Sequence, residues 1–235
     1  MQGGIGVKKP VILITGGPGF DRQFHTEARV LNKTYTSAIV AAGGIPVMDL
    51  DENALDDYVA MSDGCIFTGT HAFLPDENLS MGNLQVERIN RDHKLMHKFI
   101  DAKKPVLGIC QGFQQLNTAF SGDLCINFKL TDGVEHCQTT HTIKTTQGSL
   151  VNRLFGDEFL VNSIHNVRVG KLADCFVPTA YSPDGVLEAY EHKELPVYGF
   201  QWHPERMRGD FSGCPYGPNT DALFKAFVEM CISYK

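Results

Sequence analysis

Along the first half of the chain, apolar positions switch between strand-like and helix-like periods. Val11–Thr15 is a continuous apolar run of strand length, and Gly16-Gly17-Pro18-Gly19 after it reads as a turn. Glu27–Ala42 places Ala28, Leu31, Tyr35, Ala38, Ile39 and Ala42 at helical spacing, and Gly43-Gly44 stops the helix. Ile45–Leu50 predicts a second strand, Leu55–Met61 a short helix, and Cys65–Thr68 a third strand. A polar loop from Gly69 to about Leu84 leads into a helix over Val86–Ala102, which stops before Pro105. Val106–Ile109 is a fourth strand and Gln111–Phe120 another helix. Such alternation implies a parallel sheet with helices on both faces.

The second half changes character. Leu124–Phe128, Thr140–Thr145, Phe159–Asn162, Cys175–Tyr181, Val186–Tyr190 and Val197–Trp202 read as short strands, and Asn219–Tyr234 as a terminal amphipathic helix. Ser182-Pro183-Asp184-Gly185 is a strong turn signal between two of the strands. The expected fold is α/β, a single open, mostly parallel sheet with antiparallel strands added in the second half. It spans residues 10–235 as one domain, behind an N-terminal extension of residues 1–9. Ligands of open α/β sheets sit at the carboxyl ends of the strands, where Gly16–Gly19, Gly69 and Cys110 fall.

Composition narrows the function classes. With 43% hydrophobic and 20% charged residues the chain reads as globular. A net charge of −6 gives no basic excess to hold phosphates, which argues against a nucleic-acid partner. No apolar run reaches the ~18–20 residues that span a bilayer, and Met1–Lys9 lacks the apolar core of a signal peptide. Seven cysteines with no CxxC pair argue against a disulfide framework and for a reducing, cytoplasmic setting. A thiol is then available for chemistry.

The segment Gly108-Ile109-Cys110-Gln111-Gly112 lies where a buried strand meets a helix. A nucleophile there sits on a sharp turn whose flanking glycines relieve crowding, as in G-x-S-x-G hydrolases. The helix N-terminus under the sulfur favours a thiolate, and the Gln111 N–H points at a developing oxyanion. By itself the pentapeptide fits a small buried hydrophobe equally well. The other six cysteines lack this glycine frame and read as ordinary packing. A thiol nucleophile needs a base, and the base an orienting group. Gln201-Trp202-His203-Pro204-Glu205 supplies both. In an extended segment His203 and Glu205 share a face, so Glu205 can hold one imidazole nitrogen while the other faces Cys110.

The elbow, continued through Phe113-Gln114, and the WHPE segment together resemble the class I glutamine amidotransferase superfamily. Ala41-Ala42-Gly43-Gly44-Ile45-Pro46, Arg91-Asp92, Asn162-Ser163-Ile164-His165, and Ser182-Pro183-Asp184-Gly185 with Glu188-Ala189 resemble its γ-glutamyl-γ-aminobutyrate hydrolase branch, the peptidase C26 type. The resemblance implies a flavodoxin-like hydrolase fold and a Cys110–His203–Glu205 triad. It implies an oxyanion hole from the N–H groups of Gly69 and Gln111, and substrate contacts from Gln114. A cleft-lining role for His165 is a further candidate. The implied reaction is cleavage of the γ-glutamyl amide of a small amine, or of glutamine, through a γ-glutamyl thioester on Cys110, with no metal and no cofactor. A homodimer is the implied assembly. The alternative is a glutaminase that hands ammonia to a partner synthase. A non-catalytic ligand-binding role is disfavoured by the intact triad.

The chain departs from the branch at three places. Gln111 replaces an Arg. Gly69-Thr70-His71-Ala72-Phe73-Leu74-Pro75 replaces GGxDVxP, and His165-Asn166-Val167 replaces the HHQ of NSxHHQ. These changes fall at the expected substrate mouth and leave the triad alone. His136, Cys137 and His141 lack a fourth ligand in any recognised metal spacing and read as satisfied or exposed side chains. Glu87, Arg88, Arg91, Asp92, His93 and Lys94 read as a solvated helix face, with Arg91-Asp92 able to brace a loop.

Overall fold

The computed structural model describes residues 8–21, 23–69, 81–126, 134–209, 211–212, 214 and 216–234. In chain order the elements are β1 (Val11–Ile14), β2 (Gly17–Asp21), β3 (Thr26–Val30), α1 (Lys33–Ala41), β4 (Ile45–Met48), α2 (Leu55–Met61), β5 (Gly64–Phe67), α3 (Met81–Asp101), β6 (Val106–Ile109), α4 (Gln111–Ala119), β7 (Leu124–Ile126), β8 (Thr139–Thr145), α5 (Leu150–Phe155), β9 (Glu158–Ser163), β10 (Val167–Val169), β11 (Phe176–Tyr181), β12 (Leu187–His192), β13 (Val197–Phe200) and α6 (Asp221–Ser233). Among the described residues, nine strands form one mixed sheet in the order β4-β1-β5-β6-β13-β12-β11-β8-β9. The pairs from β4 to β13 are parallel, and those from β13 outward to β9 are antiparallel.

Strand alternation sends side chains to two cores. Ile12, Ile14, Ile66, Phe200 and Trp202 pack with Ile39 of α1 and Phe224 and Phe227 of α6. Leu13, Cys65, Phe67 and Val106 pack with Leu95 and Phe99 of α3 and Phe113 and Leu116 of α4. Each fully buried large side chain contributes about 1.5–3 kcal/mol. No helix of the described residues is long and apolar enough to cross a membrane.

Two expectations need correction. The predicted helix Glu27–Ala42 begins only at Lys33, where the Asn32 side chain caps it by accepting from the Thr34 N–H at 3.0 Å. The residues before it form β3, which pairs with β2 in an antiparallel hairpin. Gly17-Pro18-Gly19 is therefore strand, not turn. Ala28 and Leu31 fit a helical stripe by spacing, but the cap sets the start. Helix α5, capped by Ser149, is an addition that the pattern does not predict, since its six residues are too few to show a period. Gly43, at φ +94°, ends α1 as expected. Thr70–Pro75 and the end of the Leu124–Phe128 strand lie outside the described residues.

Candidate active site

Cys110 stands between β6 and α4 with φ +52° and ψ −105°, a strained conformation for a residue with a side chain. Its N–H donates to the Phe200 carbonyl at 2.8 Å, which ties the turn to β13. The glycine frame is required by contact. A Cβ on Gly112 would lie 2.1 Å from the Phe67 carbonyl oxygen, and one on Gly108 2.8 Å from the Gly112 oxygen. The turn leaves Cys110 at the N-terminus of α4.

His203 follows the end of β13, the strand next to β6. Its Nδ1 lies 2.8 Å from Glu205 Oε1, and its ring interacts with Cys110. The two residues meet for a different reason than an extended segment. Pro204–Arg206 is a single 3-10 turn, opened by the fixed φ of Pro204, and that turn folds Glu205 back under the imidazole. His203 is buried, which works against its charge. The negative charges of Glu205 and Cys110 outweigh burial and push its pKa well above the ordinary value. The arrangement can hold a thiolate–imidazolium pair, with Glu205 fixing the tautomer.

The backbone of His203 is clamped by Asn162 of β9. Its N–H donates to Asn162 Oδ1 at 2.8 Å, and Asn162 Nδ2 donates to its carbonyl at 2.9 Å. Sequence reasoning places Asn162 in a motif without giving it a role. It likewise gives Tyr35 only a place on a helix face. The Tyr35 hydroxyl accepts the Gly69 N–H at 3.0 Å, so one of the two expected oxyanion donors is already engaged. Burial pushes the Tyr35 phenol well above its ordinary range, so it keeps its own proton. Gly69 itself sits close in, since a Cβ there would lie 2.8 Å from His203 Cε1 and 3.2 Å from Cys110 Cβ. The second expected donor, Gln111, opens α4, and its side chain reaches Gln85 at 3.3 Å.

Arg88, Arg91 and Asp92 are buried, so the solvated-face reading fails for them. Arg88 donates to the carbonyls of Thr68 and Gly69 at 2.7 and 3.1 Å, and contacts Asp92 at 3.3 Å. Arg91 pairs with Asp49 at 2.9 Å and donates to the Gly16 carbonyl at 2.8 Å. Together they brace the carboxyl ends of β1 and β5, which the i, i+3, i+4 spacing of the three charges could have suggested.

Gln114 donates to the Val167 carbonyl and to Gln201 Oε1, both at 3.1 Å. His165 is buried, and its Nδ1 holds the same Val167 carbonyl at 3.1 Å. The other face of His165 meets His136, His141 and Glu188, a buried group with one potential ligand atom each within 4.8 Å of the others. Cys137, weighed with the histidines as a ligand, is exposed and outside it. Sequence spacing misses two further members of this group because His165 and Glu188 lie 24 and 47 residues beyond His141.

Residues 10–205 match the profile of the peptidase C26 family. The chain belongs to the peptidase C26 family. Among its relatives, a glutamine amidotransferase-like protein of Lactococcus lactis, YvdE, is 31% identical over 174 residues, 68% of this chain and 72% of that protein. A γ-glutamyl-γ-aminobutyrate hydrolase of Escherichia coli O157:H7 is 25% identical over 226 residues, covering 86% and 87% of the two chains. The fold matches a glutamine amidotransferase of Thermotoga maritima with TM-score 0.60 at 13% identity, over 83% of this chain and 76% of that one. A GMP synthase component of Thermoplasma acidophilum matches with TM-score 0.69 at 17% identity, over 96% of each chain. This C26 chain thus has the class I glutamine amidotransferase-like architecture.

Proposed function

We propose that this C26 protein is a cysteine-dependent amidohydrolase that cleaves the γ-glutamyl amide bond of a small γ-glutamyl compound. The observation that carries the reading is the linked set Cys110–His203–Glu205, with the cysteine on a strained elbow and the carboxylate 2.8 Å from the imidazole. Cys110 Sγ attacks the γ-carbonyl carbon, and a C–S bond forms as the oxygen becomes an oxyanion. The C–N bond then breaks, and the amine leaves with a proton from His203. His203 next takes a proton from water, whose oxygen attacks the thioester. The C–S bond breaks, glutamate leaves and the thiolate returns. The oxyanion takes the Gln111 N–H, and the Gly69 N–H once Tyr35 yields it. Gln114 is the proposed glutamyl contact. His165 supports it through the shared Val167 carbonyl.

The relatives named as γ-glutamyl-γ-aminobutyrate hydrolases support a free-standing hydrolase. Those named as glutamine amidotransferase-like keep ammonia donation as the second reading. Mass spectrometry of amine release decides between them. The panel is glutamine, γ-glutamyl-γ-aminobutyrate, γ-glutamyl-putrescine and γ-glutamyl dipeptides, each against Cys110→Ala. Turnover of a γ-glutamyl amide, lost in the variant, is the expected result. Turnover of glutamine alone selects the second reading, and turnover that survives in Cys110→Ala refutes both.

A further inference from the structure

His136, His141, His165 and Glu188 come together from the segment before β8, from β8, from the β9–β10 connection and from β12. Each is buried. Each imidazole turns one nitrogen outward onto an acceptor. His136 Nε2 meets Asp184 Oδ2 at 3.1 Å, His141 Nδ1 the Thr142 carbonyl at 3.2 Å, and His165 Nδ1 the Val167 carbonyl at 3.1 Å. Carbonyls accept and do not donate, and the Asp184 carboxylate, which also takes the Ser182 hydroxyl, accepts likewise. The outward nitrogens therefore carry the protons. His136 Nδ1 and His165 Nε2 then face each other as a hydrogen-bonded pair at 3.2 Å, which needs a second proton on one ring or a cation in its place, and His141 Nε2 belongs to the same group. This orientation of ligand histidines by outer carboxylates and carbonyls is the usual outer support of a metal site.

Four of the six spacings among the ligand atoms fit a small cation, and the two from His141 to the other rings are within 4.8 Å. A tetrahedral centre with bonds of about 2.0–2.2 Å has edges of about 3.3–3.6 Å. His136 Nδ1 and His165 Nε2 are 3.2 Å apart, and Glu188 Oε1 lies 3.3, 3.4 and 3.6 Å from His136, His141 and His165. The contacts to Glu188 lie at ion-pair distance without well-aligned hydrogen-bond geometry. Both Glu188 oxygens and His141 Nε2 are buried without a hydrogen bond. A buried carboxylate left so is costly. A proton between two rings would relieve one contact, whereas a cation relieves all of them. A divalent ion is also neutralised by Glu188 and Asp184 together.

We propose that His136, His141, His165 and Glu188 form a closed, tetrahedral structural site for a zinc-class divalent cation. Three imidazoles and one carboxylate suit that class, and full burial leaves no open position for chemistry. The ion braces the antiparallel strands against the catalytic ones. The Glu188 carbonyl accepts the Gln201 N–H at 2.8 Å, two residues before His203.

The test uses Cys110→Ala protein, because the native thiol is itself a zinc ligand. The protein is stripped with chelator, loaded with Zn²⁺ or Co²⁺, passed through metal-free gel filtration and assayed by elemental analysis. We expect about one ion per chain, a tetrahedral cobalt spectrum, and a Tm that rises with zinc and falls back with chelator. Glu188→Gln in the same background should reduce the bound ion to under about a tenth. Asp184→Asn should weaken binding about 10–100-fold. Folded Cys110→Ala protein that retains neither ion overturns the proposal and leaves a cluster held by protons. Full retention in both Glu188→Gln and His141→Gln overturns it too, by placing the ion elsewhere. If Glu188→Gln fails to fold, the parent's cobalt spectrum decides, and one without tetrahedral bands overturns the site.

Discussion

Asn162→Ala removes both hydrogen bonds that hold the His203 backbone, at 2.8 and 2.9 Å, from a side chain that is 2% exposed. Each partner left buried and unsatisfied costs about 1–3 kcal/mol. Water entering the vacated space recovers part of that. The net loss is therefore set at about 3 kcal/mol, which for a chain of this size lowers Tm by about 6–12 °C. The catalytic effect follows from geometry. His203 would lose its fixed height relative to Cys110, while Gln114 and the strand ends stay in place. The loss should fall on kcat, by about 10²-fold for a displacement near 1 Å, with KM little changed. Denaturant unfolding and steady-state kinetics on the substrate found by the panel measure both. Asn162→Asp is a second variant, which keeps the acceptor for the His203 N–H but turns a buried carboxylate oxygen toward the His203 carbonyl. A stability loss under about 0.5 kcal/mol, or a rise in KM with kcat intact, would refute the clamp.

Cys110→Gly should be more stable than Cys110→Ala by about 1 kcal/mol, because φ +52° suits glycine. Equal midpoints in urea would mean the elbow is not strained in solution. Glu205→Gln should lower the His203 titration midpoint seen by NMR, since burial alone pushes that pKa down and Glu205 leads the charges that raise it. An unchanged midpoint would remove Glu205 as the cause. Tyr35→Phe frees the Gly69 N–H and should raise kcat several-fold with KM constant. A fall of about 10²-fold would instead make the Tyr35 hydroxyl the second oxyanion donor.

The parts of the fold and site that are readable in the sequence share one property, namely that their cause is local. Gly108 and Gly112 flank Cys110 because the Gly112 carbonyl, four residues from Gly108, and the Phe67 carbonyl, across one strand pairing, leave no room for Cβ atoms. Val106–Ile109 and Leu55–Met61 are bounded by their own stop signals and form as expected. Where two local readings compete, spacing alone chooses wrongly, as at Ala28 and Leu31, which fit a helix stripe yet precede the Asn32 cap. The Arg88 and Arg91 side chains look solvated until strand carbonyls from residues 16 to 69 are known to lie above them. The histidine–glutamate cluster draws on residues from 136 to 188, and its meeting point depends on β8 lying two strands from β12, which no short window contains.

The pairing of β6 with β13 has a consequence for how such a protein can change its substrate. Ile109 lies beside Phe200, and Cys110 and His203 emerge from the ends of these adjacent parallel strands. The gap between thiol and imidazole is thus inherited from the interstrand repeat of about 4.8 Å. Of the three departures from the expected branch pattern, residues 69–75 and 165–167 lie after other strands, and Gln111 follows β6 itself. On the proposed function, reach of the nucleophile and choice of amine are then written in separate stretches of chain, with Gln111 the exception. Exchanging those two stretches with a relative's should transfer preference among γ-glutamyl amides while leaving the alkylation rate of Cys110 unaltered.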